Sequence, residues 1–283
     1  MSRRTDLTFG SLNLSLSAMK IDALLPHEET IQEITDSLAA EIIKDGVQID
    51  PVFVDTQSRV IFDGMHRVAA LKSLGCKSII ACSADYSNPS IKVYRWIRCI
   101  STLPASLLHE LSRVLRLYKT EPSSATAAVD TGKAAVALIT RERAYLSEKE
   151  FVSVEDAYSL VKQFDRIVLE MGIRFATLPD HLALNTIGAP YEAALYAPPL
   201  TKADVLNSAL NRRLFPAKST RHYIPVRPVA VMYPLDHLVH MTGGDADSDL
   251  KQILQSSLPV MLAPGTTYRG RTYEENLLKI RGN

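Results

Sequence analysis

Cysteine is scarce in this chain: Cys76, Cys82 and Cys99 are the only three in 283 residues, and they lack CxxC spacing. That set builds neither a disulfide framework nor a zinc site, and it fits a reducing cytoplasm. Long apolar runs are missing as well. No stretch approaches the roughly 18 apolar residues of a membrane span, and Met1 to Leu14 alternates polar and apolar residues without a signal-peptide core. Neither sign of charge dominates: 32 Lys and Arg against 31 Asp and Glu leave a net charge of +1. Such a balance exerts no global pull toward nucleic acid or an anionic membrane. There is no GxGxxG, no GxSxG and no HExxH, and Gly132-Lys133 is followed by Ala134 without the upstream glycine of a P-loop. His237 and His240 stand at i,i+3 with no third ligand nearby, which reads as ordinary surface histidine. What remains is a cytosolic globular protein, 46% hydrophobic and 22% charged, long enough for one large domain or two modest ones.

What the chain does have is concentrated in Phe62-Asp63-Gly64-Met65-His66-Arg67, followed by Val68-Ala69-Ala70-Leu71-Lys72-Ser73-Leu74-Gly75. An acid and a glycine close a strand, and a His-Arg pair opens an amphipathic helix that ends at a glycine. The start of a helix leaves backbone N–H groups without partners and concentrates positive potential, which suits a phosphate. Arg67, in the first turn, can fork onto the same anion. Asp63 can hold the Mg²⁺ that accompanies nucleotide phosphates. The same residues also read as an Asp N-cap, a turn glycine and a structural arginine.

Periodicity supplies the frame around this motif. Leu12 to Leu25 reads as a strand region stopped by Pro26, and Ile31, Ile34, Leu38 and Ile42 recur at helical spacing up to Gly46. Val52-Phe53-Val54 and Val60-Ile61-Phe62 flank a polar turn and predict a hairpin. Strands follow at Ser78–Ala84 and Lys92–Ile100. Beyond Leu103-Pro104, helices are expected over Ala105–Tyr118, Val154–Met171, Thr201–Arg213 and Asp247–Gln255, with strands at Ala134–Ile139 and Val229–Met232. Pro122 to Asp130 reads as a small-residue linker or mobile loop, and Leu214 to Tyr223 as a loop rich in polar and basic side chains.

From Ile21 to Arg98, the order strand, Pro-His-Glu, helix, Asp-Pro hairpin, Asp-Gly-x-His-Arg helix, strand resembles the ParB/sulfiredoxin superfamily. Within it, the chain is most similar to the free L-serine kinases, which have ADP-dependent and ATP-dependent branches. The resemblance implies a general base just after the first strand, a position that Glu28 matches, with Glu29 one residue away. The competing reading of Glu28 is an acid decorating a helix N-terminus. It implies that Trp96, the only tryptophan, lines the serine pocket, although a lone Trp is commonly core. It also implies that Thr220, Arg221 and His222 bind the amino acid and its phosphorylated product; read alone, they are a solvated basic loop. Met65 stands where family members often carry His or Val, and backbone N–H groups bind phosphate whatever that side chain is.

Sulfiredoxins place a catalytic cysteine at the position of Met65, and a thioether cannot perform that chemistry. A ParB-like nucleotide-dependent DNA-binding protein would show basic character and a helix-turn-helix after residue 100, and neither is evident. A non-catalytic nucleotide or amino-acid sensor on the same scaffold stays open. The expectation is therefore an α/β protein: a ParB/sulfiredoxin-like nucleotide-binding domain over residues 1–103, forming a cleft with an α+β substrate-binding domain over 104–283. Its expected partners are L-serine and ATP or ADP with Mg²⁺, without nucleic acid or membrane. Its product, O-phospho-L-serine, would feed cysteine synthesis or a siderophore precursor.

Overall fold

The computed structural model describes residues 5–148, 152–240 and 244–280; the first four residues of the alternating Met1–Leu14 stretch lie outside them. From the N-terminus the elements are β1 (Thr5–Phe9), β2 (Leu12–Lys20), α1 (Gln32–Asp45), β3 (Val47–Gln48), β4 (Val52–Asp55), β5 (Ile61–Asp63), α2 (Met65–Ser73) and β6 (Ser78–Ala84). Next come β7 (Lys92–Ile100), α3 (Ala105–Leu115), β8 (Leu117–Thr120), α4 (Pro122–Asp130), β9 (Ala137–Thr140), β10 (Ala144–Ser147), α5 (Val154–Glu170), β11 (Phe175–Pro179), α6 (Asp180–Ala183) and β12 (Ala193–Tyr196). The chain continues through α7 (Lys202–Leu210), β13 (Thr220–Tyr223), β14 (Val226–Val229), β15 (Tyr233–Pro234), α8 (Leu235–His240) and α9 (Gly244–Gln255). It closes with β16 (Val260–Leu262), β17 (Thr267–Tyr268), β18 (Arg271–Thr272) and β19 (Asn276–Lys279).

Two compact units result, and neither is continuous in sequence. The first comprises Met1–Lys92, Val205–Leu214 and His222–Asn283; the second comprises Val93–Asp204 and Phe215–Arg221. This differs from the division expected at residue 103. Leu103-Pro104 ends an element rather than a domain, because β7 is itself a strand of the second sheet, flanked by β11 and β12. The C-terminal segment returns to the first unit through β15, which pairs with β3 (Tyr233 opposite Gln48), and through the Val231 N–H, which donates to Ile49 O at 2.7 Å.

In the first unit, five strands run in the order β1-β2-β6-β4-β5, with β4 parallel to β6 and the other pairs antiparallel. All seven residues of β6 and all four of β4 are buried, so these strands read as near-continuous apolar runs rather than alternating ones. The β4–β5 hairpin is stapled by Asp55, whose carboxylate accepts from the Ser58 N–H (2.7 Å), the Ser58 hydroxyl (2.6 Å) and the Tyr86 N–H (3.0 Å). The hairpin ends at Asp63, where the Asp-Gly-x-His-Arg motif of the sequence begins.

The second unit is a sheet in the order β11-β7-β12-β9-β10-β8 with helices on both faces. Period-2 alternation sends Ile100, Leu138 and Leu195 to one core and Ile97, Cys99, Ile139 and Ala194 to another. α3 and α5 cover the first face. α5 buries Ala157, Tyr158, Val161, Phe164 and Val168 at i, i+3, i+4 spacing. A fully buried side chain of the Val or Phe kind contributes about 1.5–3 kcal/mol, so this stripe outweighs the helix propensities of the segment. The expected linker at Pro122–Asp130 is a helix instead, α4. Pro122 takes the first helical position, where its missing N–H costs nothing, and Ala125 and Val129 pack on the sheet. α3 stops at Leu115 rather than Tyr118, because Arg116 turns to a left-handed φ of 52° and Leu117–Thr120 pairs with β10.

Candidate functional site

Asp63 and Gly64 form the hinge between β5 and α2. Gly64 has φ +99° and ψ 23°, a conformation that L side chains rarely adopt. A Cβ built there would also sit 2.8 Å from Val52 Cγ1, so glycine is required twice over. From this hinge α2 opens with Met65, His66 and Arg67, all half-buried, and no side chain caps its first turn. Arg67 Nη1 donates to Pro51 O at 2.9 Å, which ties the first turn to the start of β4. The Ile31 N–H donates to His66 Nε2 at 3.0 Å. A backbone N–H can only donate, so Nε2 carries the lone pair and the neutral ring keeps its proton on Nδ1. The Nε2 face of His66 is thus committed to the entry of α1.

The Asp63 carboxylate meets Arg227 of β14, whose Nη1 lies 2.5 Å from Oδ2. Burial by itself would raise the Asp63 pKa, but Arg227, Arg67 and Arg271 outweigh it and hold the carboxyl well below the usual carboxylate range. Arg227 is only 4% exposed, and its three nitrogens are all engaged. Besides Asp63, it donates from Nε to Glu275 (3.0 Å) and from Nη2 to the His222 carbonyl (2.8 Å). Its guanidinium also lies 5.2 Å from the Phe53 ring. Burial would lower its pKa, but Asp63 and Glu275 push it up, so it stays charged. Arg227, Glu275 and Arg271 are parts of this site that the sequence did not reveal. They lie far from the motif along the chain, 164 residues away for Arg227, with no local signature.

A second cluster lies in the same unit. His27 is fully buried and Glu28 is 4% exposed. His27 Nδ1 donates to Ile61 O at 2.7 Å, and its Nε2 lies 3.6 Å from Glu28 Oε1. The His222 ring meets the His27 ring edge-on at 5.6 Å, and its Nε2 is 2.6 Å from the Tyr86 hydroxyl. Burial pushes the Tyr86 phenol far up, so it stays neutral, while its ring stacks on Phe62 at 4.9 Å. Glu28 therefore stands on an ordered imidazole and phenol scaffold. Glu29 is less buried.

The remaining expected residues belong to the second unit. Trp96 is half-buried on β7, and its N–H donates to Ser219 O at 3.4 Å. Thr220-Arg221-His222 is not the solvated loop that its composition suggested. It forms the start of β13, with the three residues 7%, 7% and 5% exposed. Pairing of β13 with β7 explains the burial, and the Arg221 guanidinium lies 4.9 Å from the Tyr94 ring. The structure thus brings Asp63, Gly64, Met65, His66, Arg67, Glu28 and His222 into one unit, and Trp96, Thr220 and Arg221 into the other.

Among the described residues no group of three His, Cys, Asp or Glu side chains could hold a metal ion. His237 Nδ1 pairs with Asp249 at 2.6 Å. No described helix is long and apolar enough to cross a membrane.

No protein-family model matches the chain. Its sequence is similar to a ParB-like protein of Sulfolobus acidocaldarius, 29% identical over 228 residues, covering 78% of this chain and 98% of that protein. It is 26% identical to an ATP-dependent L-serine kinase of Staphylothermus marinus over 226 residues, 77% of this chain and 89% of that one. An ADP-dependent L-serine kinase of Thermococcus kodakarensis is 22% identical over 229 residues, 78% and 91% of the two chains. In fold, the chain matches a free serine kinase in complex with AMP at a TM-score of 0.68 and 20% identity, over 84% of this chain and 95% of that one. Over about three quarters of its length the chain is thus similar in sequence to ATP- and ADP-dependent L-serine kinases, and it shares the fold of a free serine kinase.

Proposed function

We propose that this protein transfers the terminal phosphoryl group of ATP or ADP to the hydroxyl of free L-serine, giving O-phospho-L-serine. The observation that carries this reading is the Asp63–Gly64 hinge. An ionised carboxylate stands at a helix N-terminus under the influence of Arg67, Arg227 and Arg271, in the same unit as the buried Glu28. Phosphoryl transfer needs little covalent help from the protein, and is served by positioning and by positive charge around the moving phosphoryl. The backbone N–H groups at Gly64, Met65 and His66 cradle the phosphates, with Arg67 beside them. Glu28 accepts the proton of the serine hydroxyl as the oxygen attacks phosphorus. Thr220, Arg221 and His222 hold the serine carboxylate and the transferring phosphate, and Trp96 limits the space around Cβ.

A divalent cation suits this donor set only in part, because one carboxylate is offered and arginines surround it. Mg²⁺ fits those terms, since it is normally held by one or two carboxylates together with substrate phosphates and water. Asp63 would be its protein ligand, through the oxygen that Arg227 does not take. When bound, Mg²⁺ neutralises charge across the phosphates.

The test is incubation of the protein with L-serine, Mg²⁺ and each nucleotide, reading phosphoserine by mass spectrometry, with L-threonine as a competing acceptor. Phosphoserine formed with ATP or ADP is the expected result. No product with either nucleotide would overturn the kinase reading in favour of a sensor. The same measurement separates it from a nucleotide-dependent DNA-binding role, to which a net charge of +1 lends no support.

A further inference from the structure

Arg98 is the largest fully buried side chain among the described residues, at 1% exposure, and nothing in the catalytic scheme uses it. It stands on β7 two residues beyond Trp96, so the two side chains leave the same face of the strand. Its guanidinium forks onto Asp165 of α5, with Nε to Oδ1 at 2.8 Å and Nη2 to Oδ2 at 2.9 Å. The remaining donors go to backbone: Nη2 to Ala217 O at 2.9 Å and Nη1 to Lys218 O at 3.1 Å. Those two carbonyls belong to the turn that delivers Thr220 and Arg221. The turn is tight: Lys218 has φ +60°, and the Ser219 hydroxyl donates to Pro216 O at 2.6 Å.

A buried ion pair adds little net stability, because desolvation offsets most of the attraction. The apolar stripe of α5 already secures that helix to the sheet. What the fork supplies is direction, since a planar guanidinium fixes its partners in both distance and angle. Tyr94, Trp96 and Arg98 are alternate residues of β7. They meet the 217–221 segment through the Arg221–Tyr94 stack, the Trp96 N–H to Ser219 O bond and the Arg98 fork. The Arg98 fork is thus one of three contacts between β7 and the segment that leads into Thr220 and Arg221.

We infer that Arg98 and Asp165 are positioning residues for the amino-acid substrate: their fork sets the register of the 217–221 turn against Trp96, and so governs serine affinity without affecting nucleotide affinity. This rests on the serine-kinase reading above. The experiment compares full-length wild type with Arg98→Lys and Asp165→Asn. Lysine keeps the charge but cannot span a carboxylate and two carbonyls. The Asp165 side chain is 19% exposed, so Asp165→Asn keeps the test available if Arg98→Lys does not fold. The expected result is a rise of about tenfold or more in KM for L-serine, with KM for nucleotide within about twofold of wild type. The dissociation constant for L-serine, read by calorimetry without turnover, rises in parallel. A purely structural role would lower Tm and the active fraction while leaving both KM values in place. Serine KM unchanged in a folded variant, equal rises for serine and nucleotide, or unfolding of both variants would each overturn the inference. Failure of wild type to make phosphoserine would overturn the kinase reading itself. Phosphoserine formation by wild type, with normal serine binding in the variants, would overturn only the role given to Arg98 and Asp165.

Discussion

Arg227 Nη1 lies 2.5 Å from Asp63 Oδ2, although 164 residues separate them. The same guanidinium holds the Glu275 carboxylate and the His222 carbonyl, so one buried cation joins the Asp63–Gly64 hinge to the end of the Thr220–His222 segment. Arg227→Ala leaves Glu275, 1% exposed, without this partner. Breaking a buried pair from one side costs about 3–5 kcal/mol, which chemical denaturation should read directly. Arg227→Lys retains a charge but not three directed bonds, so it should fold and still lose turnover. Wild-type activity in a folded Arg227→Lys would remove Arg227 from the site.

Asp63 predicts an acid dependence. Its folded-state pKa is depressed by the arginines, below the roughly 3.9 of an unfolded aspartate. A depressed carboxyl contributes stability that is fully present above the unfolded pKa and is lost as pH falls toward the folded value. The midpoint of urea denaturation should therefore fall below about pH 4, and fall less steeply in Asp63→Asn. Parallel pH profiles for the two proteins would contradict the pairing. Asp55, also depressed through its bonds to Ser58 and Tyr86 despite an opposing effect of burial, contributes in both proteins and cancels in the comparison.

Gly64→Ala meets two obstacles at once, a left-handed φ of +99° and a 2.8 Å approach to Val52 Cγ1. Backbone strain of this kind costs about 1–3 kcal/mol. The substitution should lower Tm and raise KM for nucleotide more than KM for serine. Adding Val52→Ala relieves the contact but not the strain, so recovery should be partial. Full recovery in the double variant would mean that only the contact mattered.

Glu28→Gln should leave the fold intact and slow turnover by about 10²–10⁴-fold, the usual worth of a general base. Glu29→Gln, at a less buried position, should stay near wild type. The reverse outcome would move the base by one residue. Activity in both would leave the reaction without a carboxylate base.

The segments whose stability is local were legible in the chain. Helices α1 and α5 announce themselves by apolar residues at helical spacing, and the β4–β5 hairpin by its polar turn. The Asp63–Gly64 hinge was legible because a strand, a glycine and a helix start are all encoded within a dozen adjacent residues. α4 was not: Pro-Ser-Ser-Ala-Thr-Ala-Ala-Val-Asp carries almost no apolar stripe, and the helix depends on a sheet that the segment itself cannot specify. Thr220-Arg221-His222 looked like a loop for a related reason. Its polar side chains are buried by pairing with a strand more than a hundred residues earlier, and that pairing leaves no mark in local composition.

By itself, then, the sequence determined the chemistry on offer: a helix start for phosphate, a carboxylate after the first strand, and a hydroxyl, guanidinium and imidazole in series. Tertiary structure alone decided which of these stand together. It returned the C-terminal segment to the first unit, set Arg227 and Glu275 against Asp63, and put His222 beside His27 and Tyr86. The physical reason is range. Periodicity and capping act over a few residues along the chain, whereas the partner of a buried charge is chosen by whichever distant strand completes the sheet and can satisfy it.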